Sequence, residues 1–257
     1  MQSLIINILQ RYMISLILEL KMPNIKLITF DLDDTFWDIS PVIIKAEMAT
    51  RSYLESHIGK QDWGSMSDFL SYRKELIKED PSYEWDIGAL RKKIYENKIK
   101  KAAIPLLEQQ ELTRQCYEMF LKLRHEVEFY DGVYEAIEEL SKNYSLGVLT
   151  NGNADIFSFK IGKFFDFSIS SYDVQSNKPK KDHFVMSKNK YESLDFNQIV
   201  HIGDHPINDV YGSHTLGINA IWFNKNNDEW DNPDIKKPIQ FNNWKNIVKL
   251  INDNYER

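Results

Sequence analysis

Residues 25–38 read IKLITFDLDDTFWD, an apolar run that ends in four aspartates, Asp31, Asp33, Asp34 and Asp38. Residues 25–31 have the composition of a short strand buried on both faces, with Asp31 at its carboxyl end. Two ionised carboxylates about 4 Å apart repel by about 4 kcal/mol at an effective dielectric near 20. Either the aspartates are solvated turn residues or a cation sits between them.

Beyond this stretch, from Pro41 to about Val127, no comparable strand follows. VIIKAEMATRSYLESHI, MSDFLSYRKELIKED and LTRQCYEMFLKLRHEV repeat apolar residues at three and four positions, so the block reads as a helical insertion. After FYDGV and a short helix (YEAIEELSKNY), strand signals return in SLGVLTNGN, FFDFSISS, NQIVHIGD and INAIWFN, separated by helices or loops. That alternation is the pattern of a parallel sheet with crossover helices. NKNNDEWDNPDIKK is expected to be a polar surface loop, and FNNWKNIVKLIND the last helix. The expected fold is therefore α/β: a Rossmann-like parallel sheet with flanking helices, in segments 22–39 and 129–257, and a helical cap inserted at 40–128.

The chain has 257 residues, 42% of them hydrophobic and 27% charged, the composition of a globular protein. A formal net charge of -6 argues against a surface that wraps polyanions, so no nucleic-acid partner is expected. Cys116 is the single cysteine, which permits no internal disulfide and reads as a core-filling thiol. The segment SLIINILQRYMISLILEL, 3–20, is interrupted by Gln10, Arg11 and Glu19, and no small-residue cleavage pattern follows it. Residues 1–21 are expected to be an N-terminal extension or an upstream-start artefact ahead of Met22, with no part in the chemistry. No membrane association is expected, and the expected compartment is the cytoplasm.

In open parallel sheets, ligands bind outside the carboxyl ends of the strands. Four motifs are expected there: Asp31-Leu-Asp33-Asp34-Thr35, Thr150-Asn151-Gly152, Lys178-Pro179, and Gly203-Asp204 with Asp209. Each alone is an ordinary turn or loop; their joint order at the ends of apolar runs is much harder to reach by accident. ITFDLDDTFWDISPVI, LTNGNA, SNKP and HIGDHPINDVYG together resemble the haloacid dehalogenase-like hydrolases. Within that superfamily they are most similar to the 5-amino-6-(5-phospho-D-ribitylamino)uracil phosphatases and flavin mononucleotide (FMN) hydrolases of bacterial riboflavin metabolism.

The resemblance implies Asp31 as a nucleophile forming an aspartyl-phosphate, and Asp33 as the acid and base that serves the leaving oxygen and then water. It implies Thr150, Asn151 and Lys178 as phosphate-binding groups, with Thr150–Gly152 in a loop entering a helix. It also implies that Asp31, the main-chain carbonyl of Asp33 and Asp204 would make an oxygen-only set suited to Mg²⁺, with Asp209 orienting Lys178 or a metal-bound water behind it. Asp34 and Thr35 are expected to be turn residues. His205, where relatives often carry a carboxylate or a small hydroxyl residue, receives no role. Trp37, Trp63, Tyr83 and Trp85 are expected to fill cores rather than stack on a substrate ring. The implied ligand is a small phosphorylated metabolite, and the chain a monomer or homodimer. Competing readings are a nucleotide or sugar-phosphate phosphatase, a phosphomutase, a dehalogenase, against which Asp33 argues, and a catalytically silent interaction module.

Overall fold

The computed structural model describes residues 24–255. The expected N-terminal extension, 1–21, lies outside the described residues. Among the described residues six strands, β1 (Leu27–Phe30), β2 (Ser145–Thr150), β3 (Phe167–Ser170), β4 (Ile199–Gly203), β5 (Asn219–Phe223) and β6 (Ile239–Phe241), form one all-parallel sheet in the order β3-β2-β1-β4-β5-β6. All four residues of β1 are buried because alternate side chains feed opposite cores. Ile28 and Phe30 join a large aromatic core with Trp244 and Ile247, while Leu27 faces Phe184 and Leu194 on the other side. Burying side chains of this size stabilises by about 1.5–3 kcal/mol each, which explains an uninterrupted apolar strand.

Sequence and structure differ at the C-terminal edge. The last helix spans Ile247–Asn254 instead of beginning at Phe241, because Ile239–Phe241 is the edge strand β6 and the Asn243 side chain accepts from Lys245 N to start a turn ahead of the helix. A three-residue strand is too short to show a period of two, so its apolar residues merged with the helical pattern that follows.

Between β1 and β2 lie four long helices: α1 (Ile39–Ile58), α2 (Met66–Glu79), α3 (Ile87–Ile99) and α4 (Leu106–Arg124). Asp38, Ser65 and Asp86 cap the first three by accepting main-chain N–H groups, and Ser65 forms a reciprocal capping box with Asp68. Leu54, Tyr95, Ile99, Leu112 and Cys116 share one core in this block, and burial pushes the Cys116 thiol up to about 12. The chain enters and leaves the block side by side: Trp37 pairs with Phe129, and Tyr130 N donates to Phe36 O at 2.8 Å. Trp37 is fully buried in the main core, as expected of a filler. No helix among the described residues is long and apolar enough to cross a membrane.

Candidate active site

The strand order reverses between β1, which leads to β2, and β4, its other neighbour, so Asp31 and Asp204 leave adjacent strands at the switch point. A cavity of about 170 Å³ opens there, lined by Asp31, Asp33, Thr150, Asn151, Gly152, Lys178, Asp204 and Asp209 among others. All the residues singled out from the sequence therefore border one small space. Three of the four motifs sit at strand ends. Lys178 does not: it lies in a loop beyond a short helix, Ser171–Val174, and reaches the site through its side chain.

Lys178 is 3% exposed and its ammonium donates to Asp31 Oδ1 at 2.7 Å, Asp209 Oδ1 at 2.6 Å and Leu149 O at 2.6 Å. Its three donors are thus all used. The Asn151 side chain holds the lysine's backbone from both directions, accepting from Lys178 N at 2.8 Å and donating to Lys178 O at 3.0 Å. Asp209 in turn receives His205 N on Oδ2, and His201 Nε2 lies 3.2 Å from its Oδ1. His201 is buried between Asp209 and Thr29, whose hydroxyl is 2.9 Å from its Nδ1. Gly203 permits this crowding, since a Cβ there would stand 2.3 Å from Asp209 Cγ. His205 has a structural part: its Nδ1 accepts from Ile207 N and Asn208 N and so starts the π-helical segment Pro206–Tyr211 that carries Asp209.

Thr35 does more than stabilise a turn. Its hydroxyl donates to Asp204 Oδ1 at 2.9 Å and accepts from Asp204 N at 3.1 Å, fixing that carboxylate across the β1–β4 boundary. Asp34 has a φ of 62° and accepts Ile39 N, so it is the turn residue expected. Thr150 Oγ1 accepts Gly152 N at 2.9 Å, which leaves its hydroxyl hydrogen to donate elsewhere. The loop after Thr150 does not enter an α-helix; it runs into two short 3₁₀ turns, Ile156–Ser158 and Lys160–Phe164. A helix dipole therefore gives no help here, and any anion contacts come from loop N–H groups and the Thr150 hydroxyl, with the charge of Lys178 beside them.

Asp33 lines the cavity but both carboxylate oxygens are gripped from outside it: Oδ1 accepts Trp37 Nε1 at 2.9 Å and Oδ2 accepts Arg124 Nη2 at 2.8 Å. Arg124 received no role from the sequence. Its signal was present, because Arg124 continues the buried α4 stripe Leu112, Cys116, Phe120 at four-residue spacing, where a charged residue needs a reason.

One oxygen from each of Asp31, Asp204 and Asp209 can lie within 4.8 Å of the others. Three carboxylates meet one ammonium. Burial, with the Asp209 and Asp204 charges, pushes Asp31 well above the usual carboxylate range despite Lys178. Burial and the Asp209 charge raise Asp204 to about 7. Asp209 moves the other way: burial opposes ionisation, but Lys178 and His201 hold it below the usual range. Asp31 and Asp204 are thus the two carboxylates still short of positive charge, and they fit a hard dication with oxygen ligands.

A Rossmann-like core with these four motifs at its switch point and a helical insertion after the first defines a class, and the chain belongs to the haloacid dehalogenase-like hydrolase family, whose sequence model matches residues 28–223. It is an enzyme of the hydrolase class. The chain is 25% identical over 212 residues to the 5-amino-6-(5-phospho-D-ribitylamino)uracil phosphatase YigB of Escherichia coli strain K12, covering 81% of this chain and 89% of that protein. It is 30% identical over 211 residues to the glyceraldehyde 3-phosphate phosphatase of Pyrococcus abyssi, covering 77% and 81%. Among solved structures, the 2-haloacid dehalogenase from Pseudomonas syringae pv. Tomato DC3000 superposes with a TM-score of 0.82 at 33% identity, covering 89% of this chain and 99% of that one.

Proposed function

We propose that the protein is a Mg²⁺-dependent phosphatase of small phosphomonoesters in the cytoplasm, acting through an aspartyl-phosphate on Asp31. The observation that carries this reading is Lys178, held between Asp31 and Asp209 at the wall of a cavity of about 170 Å³, a space of phosphate size that Thr150 and Asn151 also border. Asp31 attacks phosphorus, forming the new P–O bond as the bond to the leaving oxygen breaks. Asp33 gives its proton to that oxygen. Water then attacks the aspartyl-phosphate while Asp33 takes its proton, and phosphate and free Asp31 result. The Thr150 hydroxyl and the Asn151 main-chain N–H donate to the phosphoryl oxygens, and the Lys178 ammonium, whose own donors go to Asp31, Asp209 and Leu149 O, adds its positive charge beside them. Asp31, the Asp33 carbonyl and Asp204 would hold Mg²⁺, which supplies positive charge to nucleophile and phosphoryl group alike.

Asp33 also separates this reading from dehalogenation, which has no leaving oxygen to protonate. For the substrate we favour 5-amino-6-(5-phospho-D-ribitylamino)uracil, with FMN hydrolysed less efficiently, on the likeness to YigB. On this reading the phosphate sits in the cavity and the ribityl chain and ring extend out of it toward the helical insertion, residues 40–128, acting as a cap. The likeness to a glyceraldehyde 3-phosphate phosphatase supports a second reading, a sugar-phosphate phosphatase. Comparing kcat/KM for the two ribityl phosphates, glyceraldehyde 3-phosphate and nucleotides decides between them. A triose phosphate or nucleotide ahead of both ribityl compounds by more than about tenfold, or about 1.4 kcal/mol in barrier, rejects the riboflavin assignment.

A further inference from the structure

We propose that Arg124 is the positioning residue for Asp33, so that the last helix of the insertion aligns the acid of the core. The inference rests on the phosphatase reading above.

The side chain of Arg124 is 2% exposed, and among the described residues its one ion pair is with Asp33. Its Nε and Nη1 have no hydrogen-bond partner among the described residues, although both are buried. A guanidinium in such a place is a poor device for stability. Buried ion pairs often stabilise less than apolar residues of the same volume, and the stripe Leu112, Cys116, Phe120 that leads to Arg124 is apolar. Another aliphatic residue would pack there without the desolvation cost.

What the arginine does supply is direction. Asp33 stands two residues beyond the end-of-strand Asp31, on backbone that turns sharply at Asp34, and its side chain needs restraint to keep one face toward the leaving oxygen. Trp37 Nε1, on the segment entering the insertion, holds Oδ1. Arg124 Nη2, the final residue of the helix leaving it, holds Oδ2. Nη2 also lies beside the cavity wall, 3.5 Å from where a Cβ on Gly152 would stand, while the cavity itself is lined by Asp33 and Gly152. Arg124 therefore acts on the reaction through Asp33. Because α4 belongs to the insertion, displacement of the insertion would take the restraint with it.

The test uses the full chain and a series of phosphate esters from 4-nitrophenyl phosphate, which leaves without help, to alkyl phosphates, which need a proton. Acid catalysis is worth about 10²–10⁴-fold, so Arg124→Gln should lower kcat for alkyl esters by at least about tenfold and for 4-nitrophenyl phosphate by less than about threefold. Inhibition by inorganic phosphate should be unchanged, giving a loss in kcat without a loss in ligand affinity. In an Asp33→Asn background, Arg124→Gln should cost almost nothing further on alkyl esters, the signature of two residues acting as one. Arg124→Lys, which keeps the charge, should recover part of the alkyl activity, and it carries the same comparison if the glutamine variant does not fold. Equal losses for every leaving group, or losses that multiply in the double variant, overturn the proposal while leaving the phosphatase reading intact. A wild-type chain inactive on every ester overturns the phosphatase reading and this one together.

Discussion

Replacing Lys178 by Met removes the ammonium that pairs with Asp31 and Asp209 and keeps most of the side-chain length. The ammonium makes charged hydrogen bonds of 2.7 and 2.6 Å to these two carboxylates from a side chain that is 1% exposed. At these distances and an effective dielectric near 20 each attraction is about 6 kcal/mol, so the pair amounts to about 12 kcal/mol before desolvation. Burial of all three groups offsets much of this, and breaking a buried pair from one side costs about 3–5 kcal/mol in practice. For a chain of this size that corresponds to a melting temperature lower by about 10 °C. The loss should depend on pH in a stated direction. In the wild type, Asp209 is held below the usual range, so its contribution is present above the ordinary aspartate pKa and persists until the pH falls through its lower folded value. Without Lys178, both carboxylates relieve the charge by protonation, so the gap between variant and wild type should narrow from about pH 8 to about pH 5. Turnover should fall by about 10²–10³-fold, as for the loss of one fixed charge-stabilising donor. Thermal unfolding of both proteins in metal-free buffer at the two pH values, followed by activity with Mg²⁺, tests each part. A variant as stable as the wild type near pH 8, or a gap that widens in acid, would refute the charge argument for the site.

Chelation by EDTA should abolish activity and Mg²⁺ should restore it; activity indifferent to EDTA contradicts the cation site. At one fixed Mg²⁺ concentration the stabilisation, about 2.7 kcal/mol where that concentration is a hundred times Kd, should grow with pH as Kd falls. Asp204 is raised to about 7, so in metal-free protein its favourable neutral form is complete below the ordinary aspartate pKa and is lost as pH rises through about 7. Thr35→Val removes both hydrogen bonds to Asp204 without changing shape, and should raise the Mg²⁺ concentration for half activity by about 10–100-fold; an unchanged requirement would show that Asp204 is held without it. Asp31→Asn should abolish turnover while the circular dichroism spectrum stays that of the wild type, and substantial remaining activity excludes an aspartyl-phosphate.

The strands that carry the site were legible because each is a local pattern. LITF, LGVL and IVHIG are short, largely apolar runs followed at once by Asp31, Thr150 and Asp204, and the residue at which each run stops is the residue that faces the site. Lys178 was legible only as a motif, since its strand ends eight residues earlier and only the folded loop brings the ammonium to Asp31. The edge strand β6 and the 3₁₀ turns after Thr150 were missed for a related reason. Elements of three to five residues are too short to establish a period, and their conformation follows from the neighbours they pack against.

By itself the sequence determined the class of fold, the place of the helical insertion and the aspartates, threonine, asparagine and lysine that border one cavity, because burial period and residue chemistry are written along the chain. The tertiary structure decided how those groups are held. Thr35 grips Asp204 across 169 positions, Arg124 grips Asp33 across 91, and the Asn151 side chain grips the Lys178 backbone across 27. The buried stripe of α4 and the TNG motif mark Arg124 and Asn151 as unusual, but neither names the group that it will hold. A hydrogen bond of 3 Å requires only that two groups arrive at the same point, and that is fixed by strand order, by the return of α4 to the core and by the loop beyond β3.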